Sequence, residues 1–178
     1  MPAMRAVSAP LLAEWVKTIV PDAVLLGPDS ESQQWVAMVA RLAGRPCEVL
    51  RKVRSGDRKV EVSVPDSAAL RPVPPVILDD IASSGRTLVR TIERLVAAGT
   101  SAPVCLVTHA VFAGSAHGDI LAAGAARIIT TDTIPHPSNG IGTSSLLAET
   151  VHKVIKGLDL PVTGRVKSTN TQAKGLNG

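Results

Sequence analysis

A chain of 178 residues has room for one domain with a sizeable buried core. It is 45% apolar yet holds one Phe, two Trp and no Tyr. The core must therefore be aliphatic, and stacking platforms for single-stranded nucleic acid have little to be built from. The net charge of +4 is modest and spread along the chain. It would suit an anionic metabolite as well as a polynucleotide and so decides little; no nucleic-acid partner is expected.

The first predicted element is a helix over residues 9–20, with Leu12, Trp15, Val16 and Ile19 on one face and Pro21 closing it. Ala23 to Leu26 is a short buried strand that runs into Gly27-Pro28-Asp29-Ser30-Glu31-Ser32. A helix from about Ser32 to Leu42 follows, ended by Gly44, and Cys47 to Leu50 is the next strand. Around the turn Ser55-Gly56-Asp57, Val60, Val62 and Val64 alternate with Lys59, Glu61 and Ser63, which predicts a hairpin or a mobile basic flap.

After a Pro-rich connection over residues 67–75 comes VILDDIASSGRTL, residues 76–88. It reads as a buried strand, Val76-Ile77-Leu78, then an acidic turn, Asp79-Asp80, then a loop of small and hydroxyl residues. A helix follows with Leu88, Ile92, Leu95 and Val96 on one face, ending at Gly99. Val104 to Val107 is a further strand leading to Thr108-His109 and the loop Phe112-Ala113-Gly114. A helix over about Ser115 to Ala123, a last clear strand at Ile128-Ile129, and a helix over about Thr143 to Lys156 complete the order. The tail after Thr163 is polar and basic, so one domain over residues 1–160 and a disordered tail over 161–178 are expected.

Strands alternating with helices predict an α/β fold: a doubly wound, mainly parallel sheet with helices on both faces. Such sheets bind ligands at the carboxyl ends of their strands. Here those ends carry Gly27–Ser32, Asp79–Thr87, His109–Gly114 and Thr131–Thr133. A loop entering a helix offers unpaired N–H groups and a positive dipole end to an anion. Ser83, Ser84 and Thr87 add hydroxyl donors, although Ser and Thr also favour that position as plain caps. Two carboxylates just before a phosphate site suit a sugar diol, Mg²⁺, or both. Asp29 fits either a helix cap or a ligand, Lys52 and Arg54 either a solvated basic strand end or a cationic flap, and His109 either a core imidazole or a site residue. His117, His136 and His152 read as structural or exposed. Cys47 and Cys105 lie in apolar stretches without zinc spacing, as two buried free thiols of a cytoplasmic protein would. The N-terminal stretch makes a poor signal peptide, and no apolar run reaches the length of a membrane span, so a membrane partner is not expected.

On these residues the chain resembles the ribose-phosphate pyrophosphokinase (PRPP synthetase) family, which has the type I phosphoribosyltransferase fold. VILDDIASSGRTL resembles the family's ribose-5-phosphate loop, LLGPDSES its pyrophosphate loop, and RKVRSGD the start of its catalytic flexible loop. VTHAVFAG and ITTDTIPHP resemble two later segments that close the site. The match covers about residues 10–155 and corresponds to the C-terminal half of a family enzyme near twice this length. The resemblance implies that Asp79 and Asp80 hold the ribose hydroxyls and Mg²⁺. It implies that Ser83, Ser84, Gly85, Arg86 and Thr87 grip the 5-phosphate and that Asp29 binds the metal on the transferred diphosphate. Lys52 and Arg54 would stabilise charge as the diphosphoryl group leaves ATP, with His109 near the substrate and Asp132 and Thr133 in support. It also implies ribose 5-phosphate or PRPP as ligand, with ATP as a further substrate, and a homo-oligomer. The N-terminal half and its metal-ATP histidine have no counterpart in this sequence, and Ser83 stands where many members carry a third acid. Two other readings share the loop: a phosphoribosyltransferase that consumes PRPP, and a non-catalytic PRPP synthetase-associated subunit. A receiver-type signalling domain also pairs acids after a strand, but gives no reason for the Ser-Ser-Gly-Arg-Thr loop.

Overall fold

A computed structural model of the chain describes residues 4–55, 59–63 and 73–157. In chain order it contains α1 (Ala9–Ile19), β1 (Val24–Gly27), α2 (Gln33–Ala43), β2 (Cys47–Val49), β3 (Arg51–Ser55) and β4 (Lys59–Ser63). Then follow β5 (Pro75–Ile81), α3 (Arg86–Ala97), β6 (Val104–His109), α4 (Ala116–Ala122), β7 (Arg127–Thr131), β8 (Asn139–Ile141) and α5 (Ser144–Gly157). The expected tail over 161–178 and the turn at Gly56-Asp57 lie outside the described residues.

Six strands form one sheet in the order β2-β1-β5-β6-β7-β8, and every pairing in it is parallel. From β1 the chain steps outward to β2; from β5 it steps outward the other way, through β6 and β7 to β8. The direction of winding therefore reverses between the neighbours β1 and β5. Strands β3 and β4 stand apart as an antiparallel pair, with Arg51 opposite Ser63 and Ser55 opposite Lys59.

A parallel strand with both faces covered sends alternate side chains to opposite layers. Leu25, Val76, Leu78, Val104 and Leu106 pack with Leu12, Val16, Val36 and Val39 of α1 and α2. Leu26, Ile77, Cys105, Val107 and Ile128 pack with Leu88, Ile92 and Leu95 of α3 and Ile120 of α4. Leu106 is fully buried on the central strand β6. Leu106→Ala is expected to lower the unfolding free energy by about 3 kcal/mol, seen as a lower urea midpoint with an unchanged slope.

Some expectations need correction. The acid pair does not form a turn: β5 runs on through Asp79 and Asp80 to Ile81, because β6 supplies a partner ladder as far as Ile81 opposite His109. Val96 is 45% exposed rather than on the buried face of α3, whose inner stripe takes Thr91 instead. Cys105 is buried, but Cys47, on the edge strand β2, is only partly so. Strand β8 is an addition to the expected elements, since Asn-Gly-Ile reads as a turn. It forms at the β7 edge, where the Asn139 amide donates to Thr130 Oγ1 at 2.8 Å and to the Thr131 carbonyl at 2.7 Å.

Candidate functional site

The reversal of winding places the carboxyl ends of β1 and β5 side by side, where open α/β sheets form their ligand crevice. The four strand ends singled out in the sequence belong to β1, β5, β6 and β7, which are consecutive in the sheet. Topology thus brings Asp29, Asp79 to Thr87, His109 and Thr133 to one rim.

The centre of that rim is the loop from β5 into α3. Its Ala82 amide donates to the His109 carbonyl at 3.2 Å, and the Ser83 carbonyl accepts the Ala113 N–H at 3.1 Å, so β6 and its following loop brace it. Gly85 sits at the helix cap with φ +68°. Among the described residues, the N–H groups of Ser83 to Leu88 find no acceptor, while those on either side, Ala82 and Val89, do. Unpaired donors at the positive end of a twelve-residue helix make an anion cradle. They line a concavity of about 130 Å³ with Asp79 on its wall. Ser83, Ser84, Arg86 and Thr87 are exposed there, whereas Ala82 and Gly85 are buried behind them.

The Asp79 carboxyl in front of the cradle is under electrostatic stress. Burial pushes the Asp79 carboxyl up to about 7, and the charges of Asp80 and Asp29 push the same way against a backbone hydrogen bond from Asp80. That bond runs from the Asp80 N–H to Asp79 Oδ1 at 3.0 Å. Burial, and then the Asp79 charge, also holds the Cys105 thiol up at about 12, which leaves that thiol inert. Asp29 caps its own loop, where Oδ1 accepts the Glu31 and Ser32 N–H groups at 3.1 and 3.2 Å. The Ser32 hydroxyl returns a bond to the Asp29 carbonyl at 2.6 Å. Asp29 thus closes the turn ahead of α2, whose N-cap is Ser32, and its charge still reaches Asp79.

An all-oxygen donor set with surplus negative charge is what a hard divalent cation takes. Among the described residues no group of three or more ligating side chains converges on one point. Asp79 and Asp80 offer the one or two carboxylates that Mg²⁺ commonly uses alongside substrate phosphates and water.

His109, the last residue of β6, stands opposite Ile81 and on the same sheet face as Asp79. Its Nδ1 lies 2.8 Å from Thr133 Oγ1. Asp132 turns away to cap α5, its Oδ1 accepting the Thr143 N–H at 2.8 Å and the Thr143 hydroxyl at 2.6 Å. Those bonds hold its carboxyl below the usual range. Lys52 and Arg54 lie on β3 of the separate hairpin, which begins directly after β2. Two histidines read as structural or exposed, His117 and His136, in fact cluster with Phe112, with ring centroids 4.8 to 5.3 Å apart. No sequence signal marked that cluster, since its members come from the loop after β6, the first turn of α4 and the loop before β8.

The phosphoribosyl transferase domain matches residues 2–143. The chain belongs to that family. Within it, relatives include the ribose-phosphate pyrophosphokinase of Methanothermobacter thermautotrophicus, 31% identical over 147 residues. That match takes in 82% of this chain and 51% of the relative. The Methanopyrus kandleri ribose-phosphate pyrophosphokinase is 29% identical over 75% of this chain and 45% of its own length. The chain spans about half the length of the curated relatives it matches. Among solved structures, phosphoribosylpyrophosphate synthetase from Mycobacterium smegmatis superposes with a TM-score of 0.69 at 24% identity, over 84% of this chain and 51% of that one. Orotate phosphoribosyltransferase from Aeropyrum pernix follows at 0.52 and 19% identity, over 80% and 73%. The two likenesses establish the fold of this phosphoribosyl transferase domain: an all-parallel sheet flanked by helices, as the sequence predicted. No described helix is long and apolar enough to cross a membrane.

Proposed function

We propose that this domain binds ribose 5-phosphate and takes part in transferring diphosphate from Mg-ATP to it, forming PRPP. One observation carries the reading: a run of N–H groups, Ser83 to Leu88, without acceptors among the described residues, directly behind the strand-end acids Asp79 and Asp80 at the switch point of the sheet. The cradle takes the 5-phosphate, with the Ser83, Ser84 and Thr87 hydroxyls and the Arg86 guanidinium as further donors. Asp79 and Asp80 accept hydrogen bonds from the ribose hydroxyls, which orients the 1-hydroxyl away from the 5-phosphate. Asp79, Asp80 and Asp29 would hold Mg²⁺ together with diphosphate oxygens, and the ion would neutralise charge on the transferred group. The 1-hydroxyl oxygen forms a bond to the β-phosphorus of ATP as the bond from that phosphorus to the α,β-bridging oxygen breaks. AMP departs, and the hydroxyl proton passes to solvent or a nearby base. Lys52 and Arg54 would supply positive charge to this displacement, whose catalysis is mainly positioning and neutralisation.

The likeness to ribose-phosphate pyrophosphokinases over four-fifths of the chain favours this reading over transfer of a phosphoribosyl group to a base. The likeness to an orotate phosphoribosyltransferase keeps the second reading specific: pyrophosphate would then leave PRPP as a nucleobase attacks.

Titration calorimetry with ribose 5-phosphate, PRPP and ATP separately, with and without Mg²⁺, tests the binding claim. Sugar-phosphate binding that Asp80→Asn abolishes is expected, and no heat with either sugar phosphate would sink the reading. AMP release from ATP and ribose 5-phosphate separates synthesis from the rival, whose mark is pyrophosphate release from PRPP and a base. In any preparation with activity, Lys52→Ala should lower the rate of AMP release by about 100-fold or more while ribose 5-phosphate affinity changes only a few-fold. Binding without turnover in every mixture would instead make the chain a ligand-binding subunit.

A further inference from the structure

The rim behind His109 is built from the Thr108 carbonyl and the hydroxyls of Thr131 and Thr133, whose protons can be assigned one by one. Thr131 Oγ1 donates to the Thr108 carbonyl at 2.7 Å, with both residues buried. Thr133 Oγ1 lies 3.2 Å from the same carbonyl, 3.1 Å from Thr131 Oγ1 and 2.8 Å from His109 Nδ1. The Thr131 proton is committed to Thr108. If the Thr133 proton went to His109, the contacts of Thr133 with the Thr108 carbonyl and with Thr131 would set oxygen against oxygen with no proton between them. If it goes to the Thr108 carbonyl, which has two lone pairs, the Thr133 oxygen is left as an acceptor and the imidazole must donate. That arrangement leaves only the 3.1 Å contact between Thr131 Oγ1 and Thr133 Oγ1 without a proton, whereas donation to His109 leaves two contacts without one, so the geometry favours the imidazole as donor.

We infer that Thr133 is a positioning residue, one that accepts the Nδ1–H of His109 and so, in the neutral imidazole, leaves Nε2 as the lone-pair acceptor for a ligand hydroxyl. The register places His109 opposite Ile81, on the sheet face that carries Asp79, so the acceptor belongs to the same rim as the acid pair. Nε2 has no partner among the described residues. The ligand, a polyhydroxylated sugar phosphate, rests on the reading of the cradle above; the tautomer rests on the threonine network alone. A fixed hydroxyl one hydrogen bond from a histidine is the kind of neighbour that sets which ring nitrogen works.

The chain has four histidines, so two-dimensional ¹⁵N–¹H correlation of the histidine-labelled protein can resolve His109. The wild type is expected to show the Nδ1–H pattern. Thr133→Val keeps the branched shape without the hydroxyl and should shift His109 toward the Nε2–H form that free histidine prefers. Thr133→Ser should restore Nδ1–H. In calorimetry Thr133→Val should weaken ribose 5-phosphate binding about tenfold, with Thr133→Ser within about twofold of wild type. An Nε2–H wild type, or a Thr133→Val protein with an unchanged tautomer, overturns the assignment. A changed tautomer with unchanged affinity overturns the positioning role. If the wild type binds no sugar phosphate, the ligand falls with the functional reading, and the spectra still decide the tautomer. Should Thr133→Val not fold, the wild-type spectrum and Thr133→Ser decide alone.

Discussion

Asp79→Asn is expected to make the free protein more stable above pH 7 while removing its ability to bind ribose 5-phosphate. The two effects share a cause. Burial raises the carboxyl to about 7, with Asp80 and Asp29 adding like charge, so the folded chain keeps a proton that the unfolded chain has already released. Between the ordinary value near 4 and about 7, the unfolded state binds fewer protons than the folded one, and stability must fall as pH rises through that window. Below it the contribution is fully present; above it the folded protein carries the whole cost of an ionised, crowded carboxylate. A full shift of this size corresponds to roughly 4 kcal/mol. Asp79 retains some contact with water, so a gain on the order of 2 kcal/mol for the asparagine variant at pH 8 is the reasonable figure. The substituted amide would keep a side-chain oxygen in place to accept the Asp80 N–H. Urea unfolding at pH 4.5 and pH 8 measures both proteins: the variant should gain over the wild type only at the higher pH. Added Mg²⁺ should raise the wild-type midpoint at pH 8 and leave the variant's unchanged. If the difference between the two proteins does not vary with pH, the electrostatic account of the site is wrong.

That a site should cost stability explains why part of it could be read in advance and part could not. The apolar runs Val76 to Leu78 and Val104 to Val107 must be buried on both faces, so a parallel sheet and its carboxyl-end rim follow from pattern alone. The hydroxyl-rich loop after Asp79-Asp80 was legible because strand, acids and helix start follow one another directly. The extension of β5 through both acids was not, because it depends on a ladder lent by β6, residues 104–109. Nor was β8, whose Asn-Gly-Ile sequence becomes a strand only through the Asn139 amide and the open edge of β7. The bond from His109 to Thr133 joins residues 24 apart, and it depends on the sheet bringing Thr108-His109 of β6 beside Thr131–Thr133 at the end of β7. Sequence patterns report what a residue prefers; here the parts missed were those decided by a neighbour distant in the chain.

Gly85 is where backbone and packing constrain the cradle together, and substitution there is expected to damage folding and binding at once. At φ +68° a side chain pays for the left-handed conformation, about 1–2 kcal/mol. A Cβ would also stand 3.0 Å from Cδ1 of Ile120, a fully buried core residue of α4, and 3.2 Å from its Cγ1. The two costs can be separated. Ile120→Val removes Cδ1 and relieves the closest contact without touching the dihedral angle. Gly85→Ala should destabilise by about 2–3 kcal/mol. Combined with Ile120→Val, it should cost about 1 kcal/mol less than the sum of the single changes. Binding should not recover in the double variant, because relief of the dihedral strain would turn the N–H groups beyond Gly85 away from a common point. A loss of ribose 5-phosphate affinity of roughly 100-fold, about 2.7 kcal/mol, is expected in both Gly85 variants. Recovery of affinity by Ile120→Val would mean that packing, and not the left-handed turn, shapes the anion site.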